Sequence, residues 1–441
     1  MLIIPIPHPL SASVHVPGSK SLTNRALLIA SLAEGSTTLE NALFSDDSRY
    51  FAKALQTLGF DVRLDPERAT MTVTGLGGRI PARQAELFIG NAGTAARFLL
   101  AFLTLGYGEY ILDGDARMRE RPIGDLVDAL GQLGAKLGPA NTDNPSTSLR
   151  AGWSLGADYS NICPPIKIIA NGLPGGRTQI AGDISSQFLS ALLMVAPYAQ
   201  SPVEIEVTTE LNSKPYVDMT LSIMQDFGVE VQRDGYKTFS VPLTTYQLPP
   251  TNYQIESDAS AASYFFAAPA ICGGTVRVEN ISRDSKQGDI RFLDILARMG
   301  CEIEETDHCI LVTGHSPLRG LDVDMRDIPD TAQTLAAIAP FADSPTRIRG
   351  IASARVKETD RVAATCAELT RLGVRVDEHE DGMTIYPTLN LHPANIQTYN
   401  DHRMAMAFSL IGLRVPGITI ENPGCVSKTF PEFFDVLETL L

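Results

Sequence analysis

The sequence predicts an α/β protein of two domains, each built from three repeated βαβαββ units, with buried helices inside the layers. Three observations support this. An amphipathic helix that ends at glycine and runs into a strand occurs five times, alternating with six helices rich in small residues and apolar on nearly every side. The closing glycines, Gly59, Gly134, Gly228, Gly300 and Gly373, recur at intervals of 75, 94, 72 and 73 residues. At 441 residues the chain is also too long for one ordinary core, and six units divide into two domains of three.

In the first unit, SKSLTNRALLIASLAEGSTTLENA reads as a buried helix, a turn and a strand. DDSRYFAKALQTLGFDV follows it. Phe51, Ala54, Leu55 and Leu58 stand at i, i+3, i+4 and i+7, one apolar face, and Gly59 is placed as the C′ cap. The second unit repeats this with NAGTAARFLLAFLTLGYGEYILDG and IGDLVDALGQLGAKL, the third with DISSQFLSALLMVAPYAQSPVEIEV and YVDMTLSIMQDFGVEV. The fourth has SDASAASYFFAAPAICGGTVRVENI and DIRFLDILARMGCEI. The fifth has PDTAQTLAAIAPFADSPTRIRGI and TDRVAATCAELTRLGVRV. The sixth has NDHRMAMAFSLIGLRVPGITIENP and a shortened amphipathic copy, FFDVLETLL. The one long interval holds the polar stretch 139–161, which reads as a surface loop.

Composition is that of a soluble globular chain: 44% hydrophobic and 20% charged, with mean hydropathy near zero. The net charge of −15 argues against general binding of nucleic acid or anionic membranes. An anionic substrate stays possible, because a cleft can gather cations while the exterior is acidic. The six cysteines form no CxxC, and the seven histidines form no HxxxH or HExxH. Neither a metal site nor a disulfide framework is expected, which fits a reducing compartment. The start, MLIIPIPHPL, lacks a basic segment and is broken by prolines, unlike a signal peptide. The longest apolar run, FLSALLMVAPYA, is too short to span a bilayer. A cytoplasmic location is expected.

The polar starts of the buried helices are the natural place for a site. A helix N-terminus offers unsatisfied N–H groups and a partial positive charge to phosphate or carboxylate. These starts read GSKS (18–21), GNAGT (90–94), GDISSQ (182–187), ESDAS (256–260), IPDT (328–331) and YNDHR (399–403). Ordinary capping accounts for Ser, Asn, Asp and Thr there. It does not account for Lys20, Gln187 and Arg403, which add donors beside otherwise buried helices. Gly93 would let a ligand approach the backbone closely. Further cations stand near turns: Arg121 in RERP, Lys357 and Arg361 in RVKETDR, and Lys428 in SKTFP. RVKETDR carries five charges in seven residues, ordinarily a solvated helix face. Taken with the other cations it reads as the lining of a cleft for two small polyanions, with Asp330 and Glu358 available for proton transfer.

Eight of these segments, PGSKSLTNRALL, GNAGTAARFL, RMRERPIGDLVDAL, GDISSQFLSALLM, SKPYVDMTL, RVKETDR, YNDHRMAM and SKTFPEFF, resemble the 5-enolpyruvylshikimate-3-phosphate synthases in that family's own order. The resemblance covers nearly the whole chain. It implies a pair of inside-out, barrel-like α/β domains, 19–254 and 1–18 with 255–441, with the active site in the cleft between them. It implies transfer of the enolpyruvyl group of phosphoenolpyruvate to the 5-hydroxyl of shikimate 3-phosphate, releasing phosphate, with no metal or organic cofactor. These two small molecules would be the partners, with neither nucleic acid nor membrane, and the chain would be a monomer.

By the same resemblance, Lys20, Ser21, Arg25, Ser185, Ser186, Gln187, Ser213, Tyr216, Asp330, Ser353 and Lys357 would hold shikimate 3-phosphate. Lys20, Asn91, Gly93, Arg121, Gln187, Arg361, His402, Arg403 and Lys428 would hold phosphoenolpyruvate. Lys20, Asp330 and Glu358 would be catalytic, Asp330 at the 5-hydroxyl proton and Glu358 with Lys20 at the methylene carbon. Asp360 is expected either to orient Arg361 or to cap the helix that follows. Two positions depart from the family pattern: Ser353 stands where asparagine is frequent, and Phe98 where proline is common, which should alter packing beneath Gly93.

Two rival classes are weighed. The sister enolpyruvyl transferase acting on UDP-N-acetylglucosamine typically has a cysteine in the loop matching residues 113–121, and here that loop, DGDARMRER, has none. A six-unit DNA clamp would need basic pore-facing helices, whereas helices such as DDSRYFAKALQTLG are mixed or acidic.

Overall fold

One pairing scheme recurs through the computed structural model, which describes residues 1–140, 161–249, 252–306, 308–315 and 317–441. Residues 141–160 of the expected surface loop lie outside the described residues. In the second repeat, Gln84–Phe88 pairs in parallel with Tyr107–Asp113. Ile166–Asn171 lies antiparallel to Tyr107–Asp113, and Lys136–Pro139 adds antiparallel at the edge. Among the described residues, four other four-stranded sheets follow the same order, and the sixth repeat has two strands, Asn395–Ile396 and Thr419–Ile420. The shortening foreseen for the last amphipathic helix thus extends to its sheet.

The chain forms two units, a continuous one, Gly18–Ile255, and a split one, Met1–Pro17 with Glu256–Leu441. Each has its own apolar core. The continuous unit contains α1 (Lys20–Leu32), α2 (Asp46–Thr57), α3 (Gly93–Leu103), α4 (Gly124–Gln132), α5 (Ser186–Val195) and α6 (Lys214–Asp226). The split unit contains α7 (Ala259–Cys272), α8 (Phe292–Met299), α9 (Ala332–Ile338), α10 (Arg361–Arg371), α11 (His402–Gly412) and α12 (Phe433–Glu438).

Odd-numbered helices are the small-residue ones, and they are interior: every residue of α3, α9 and α11 is buried. Even-numbered helices bury one face, as α2 does with Phe51, Ala52, Ala54 and Leu55. Sequestering a side chain such as Phe51 or Leu55 contributes about 2 kcal/mol over leaving it in water. Helices without a polar face can be accommodated only in such an interior.

The five glycines end their helices as expected. Gly59 has φ +94°, and paired bonds run from Gly59 N to Gln56 O and from Phe60 N to Leu55 O, both 3.0 Å. The other four repeat this left-handed closure, including Val374 N to Leu369 O.

The two crossings exchange first strands. Leu10–His15 pairs with Gly274–Glu279 in the split unit, and then the chain enters α1 of the continuous unit. Tyr253–Gln254 pairs with Leu39 and Glu40 in the continuous unit, and then the chain enters α7 of the split unit. No described helix is long and apolar enough to cross a membrane.

Candidate active site

In the continuous unit side chains join the start of α1 to α2 and the start of α5 to that of α3. Ser19 caps α1 by accepting from Leu22 N at 3.4 Å, and Lys20 follows as the first helical residue. The Lys20 ammonium stands 3.9 Å from Asp47, a buried carboxylate in the first turn of α2. Ser185 caps α5 by accepting from Gln187 N, and Gln187 Nε2 donates to Thr94 Oγ1 of α3 at 3.3 Å.

Arg25 is almost wholly enclosed. Its Nε donates to Thr220 Oγ1 at 2.7 Å, its Nη1 to Ser21 O at 3.0 Å, and its Nη2 to Ser190 Oγ at 3.3 Å and Tyr216 O at 3.1 Å. Burial pulls this guanidinium down to about 10, with Tyr216 opposing. It therefore fastens Ser21 and Tyr216, both expected site residues, to α1, α5 and α6. Ser213 precedes α6 at φ +57°, a left-handed conformation unusual for a residue with a side chain.

Phe98 lies under Arg25, its ring centroid 5.2 Å from the guanidinium carbon. This is a cation–π contact to Arg25.

Gly93 has a sharper reason than ligand approach. A Cβ there would lie 2.5 Å from Arg121 Nη2, so the missing side chain is what admits the Arg121 guanidinium. Arg121 Nη1 in turn donates to Asn91 Oδ1 at 2.9 Å and Asn91 O at 3.2 Å. Arg97, buried on α3, donates to Gly93 O at 3.2 Å and Pro122 O at 2.9 Å, which joins the helix start to the segment carrying Arg121.

In the split unit three carboxylates and three cations interlock. Arg361, the first residue of α10, donates from Nε to Asp401 Oδ2 at 2.8 Å, from Nη2 to Glu358 Oε2 at 2.8 Å and from Nη1 to Asp330 Oδ1 at 3.2 Å. Burial alone would lower Arg361, but the charges of Asp401, Glu358 and Asp330 outweigh it and hold the guanidinium above its ordinary value. Arg403 Nη2 donates to Asp330 Oδ2 at 2.7 Å and to Ser260 Oγ at 3.2 Å, and its Nη1 to Asp330 O at 2.9 Å. One guanidinium on α11 thus reaches the starts of both α7 and α9. Lys428 Nζ stands 3.1 Å from Glu358 Oε1.

The expected residues of this unit lie as follows. Asp330 lies in the 3-10 turn Pro329–Thr331 ahead of α9, and its carboxylate serves the two arginines. Asp360 caps α10 by accepting from Ala363 N at 3.0 Å and pairs with Arg355 at 2.8 Å, which decides the alternative left open for it. Ser353 is half-buried in the 3-10 turn Ala352–Val356, and Lys357 follows that turn. His402 is wholly enclosed, with Nδ1 3.6 Å from Asp401 Oδ1. Among the described residues no three His, Cys, Asp or Glu side chains are grouped to hold a metal.

Sequence reasoning did not single out Asp401, Asp47, Arg97 or Ser260. Asp401 lies inside the flagged YNDHR and reads as a plain cap, which it also is, accepting from Arg403 N at 2.9 Å. Its second role, toward Arg361 forty residues earlier, leaves no local mark.

The arrangement concentrates guanidinium and ammonium groups with carboxylates at the starts of interior helices, a setting for gripping anions and moving protons. Comparisons with known proteins place the chain in a family. A sequence profile of the family described as EPSP synthase (3-phosphoshikimate 1-carboxyvinyltransferase) matches residues 4–437. A 3-phosphoshikimate 1-carboxyvinyltransferase of Trichormus variabilis is 50% identical over 427 residues, 97% of this chain and 95% of that protein. One from Shewanella piezotolerans is 48% identical over 431 residues, 98% of this chain and 97% of that protein. A solved structure of EPSP synthase from Acinetobacter baumannii superposes with a TM-score of 0.79 at 24% identity, covering 100% of this chain and 97% of that one, and so shares its fold. By profile, by relatives and by architecture, this chain belongs to the EPSP synthase family.

Proposed function

We propose that this chain transfers the enolpyruvyl group of phosphoenolpyruvate to the 5-hydroxyl of shikimate 3-phosphate and releases phosphate. The observation that carries the reading is the Arg361–Asp330–Arg403 and Glu358–Lys428 cluster, in a chain half identical to relatives named for this activity.

The reaction begins by protonating the methylene carbon of phosphoenolpyruvate, which leaves positive character on the neighbouring carbon. The 5-hydroxyl attacks that carbon and gives up its proton, forming a tetrahedral intermediate. Loss of a methyl proton and departure of phosphate then restore the enol double bond. Asp330 takes the hydroxyl proton, and Glu358 with Lys20 exchanges the proton at the methylene carbon.

Arg121, Arg361, Arg403 and Lys428, with Asn91, Gly93 and His402, hold phosphoenolpyruvate. Ser21, Arg25, Ser185, Ser186, Ser213, Tyr216, Ser353 and Lys357 hold shikimate 3-phosphate, and Gln187 serves both. Two highly anionic substrates repel each other, so most of the catalytic benefit comes from fixed cations and orientation.

Pairing the cations with carboxylates beforehand keeps them ordered without a large uncompensated charge. The chain acts as a soluble monomer in the cytoplasm. The test is phosphate release with phosphoenolpyruvate and either shikimate 3-phosphate or UDP-N-acetylglucosamine as acceptor.

A further inference from the structure

Among the described residues of the split unit, the corner Tyr399–Asn400 is the one place where two successive residues with side chains adopt left-handed backbone, at φ +52° and +55°. Such a corner persists when its surroundings over-determine it, and here three attachments do so.

The first is Glu368 on α10, a wholly buried carboxylate. It accepts from Tyr399 Oη at 2.8 Å and from Gln397 N at 3.1 Å, and is balanced by Arg371 at 3.0 Å. The second is Arg361, two turns earlier on the same helix, which holds Asp401 at 2.8 Å. The third is Asn422, which donates from Nδ2 to Asn400 Oδ1 at 3.1 Å. Asn422 is itself left-handed, at φ +45°, and it opens the 3-10 segment Pro423–Lys428. The corner is therefore where the elements bearing Arg361, Arg403 and Lys428 are joined.

We propose that Glu368, acting through Tyr399, is a positioning residue for the phosphoenolpyruvate half of the site. It fixes the corner so that Asp401 can orient Arg361 and set the start of α11 beneath Arg403. The proposal rests on the functional reading above. Both oxygens of Glu368 receive donors, so an amide in its place turns an N–H₂ toward one of them and loosens the corner without changing volume.

The test compares Glu368→Gln and Tyr399→Phe with the wild-type chain. The expected result for Glu368→Gln is a KM for phosphoenolpyruvate raised about tenfold, with the KM for shikimate 3-phosphate within about twofold of wild type. Tyr399→Phe, the milder change, should shift the same constant in the same direction. Amide exchange at Gln397, Asp401 and Arg403 should quicken in Glu368→Gln.

A folded Glu368→Gln protein with lower melting temperature but both KM values unchanged would overturn the proposal, as would unaltered exchange at those amides. A wild-type chain without enolpyruvyl transfer would end the functional reading instead, and the exchange result would then decide the clamp alone.

Discussion

Asp401 receives Arg361 on both of its oxygens, Nε at 2.8 Å from Oδ2 and Nη2 at 3.3 Å from Oδ1, and its Oδ1 also accepts from Arg403 N. One buried carboxylate thus orients one arginine and caps the helix that carries the other. Asp401→Ala leaves a buried guanidinium short of its partner and should cost about 3–5 kcal/mol of stability. Asp401→Asn keeps the cap and loses the charge, so it should lose less stability while still weakening phosphoenolpyruvate use. Urea midpoints with steady-state kinetics check both.

Lys20→Met removes the ammonium at the start of α1 and leaves Ser19, Ser21 and Arg25 in place. Turnover should disappear while shikimate 3-phosphate binding is largely retained, as titration calorimetry would measure. Phosphate release near the wild-type rate would refute the role given to Lys20.

Asp330 pairs with Arg361 at 3.2 Å and Arg403 at 2.7 Å. Asp330→Ala removes a base and releases two guanidiniums that still attract phosphate and carboxylate. Both substrates should therefore bind while kcat falls by about 10²–10⁴. A parallel loss of substrate binding would show Asp330 to be chiefly structural.

Gly93→Ala places a methyl group where the Arg121 guanidinium now lies, 2.5 Å from Nη2. Arg121 must move, and the KM for phosphoenolpyruvate should rise about tenfold, equivalent to about 1.4 kcal/mol. The double variant with Arg121→Ala should be little worse than Arg121→Ala alone, because the clash requires the arginine.

Asp125, in the first turn of α4, is held above its ordinary 3.8 by burial and then by the charges of Asp183 and Asp128. A carboxyl with a raised folded value binds its proton more tightly in the native state, so its contribution is lost as pH rises through the window above 3.8. Asp125→Asn should therefore raise the melting temperature near neutral pH. The gain should shrink toward zero as pH falls to about 4. Melting curves of both proteins across that range check the sign.

The repeats were legible because they depend on local rules. A glycine after an amphipathic helix needs only its own left-handed φ, and Gly59 and Gly373 declare it in sequence. The interior helices were legible from the absence of a polar face. The motifs also marked where cations would gather. Illegible were relationships between distant positions: Asp401 with Arg361, Glu368 with Tyr399, Phe98 with Arg25. Each is set by packing of separate elements, and each residue alone has an ordinary reading as a cap, a helix-surface acid or a core aromatic. The two crossings came only with the family resemblance, since their strand partners, Leu10–His15 with Gly274–Glu279 and Tyr253–Gln254 with Leu39–Glu40, lie more than two hundred residues apart and leave no local mark.

The most direct measurement is phosphate release by the purified chain with phosphoenolpyruvate and each acceptor in parallel. Saturable release with shikimate 3-phosphate, and none above background with UDP-N-acetylglucosamine, is the expected result. Release with the nucleotide sugar alone, or with neither acceptor, would contradict the account.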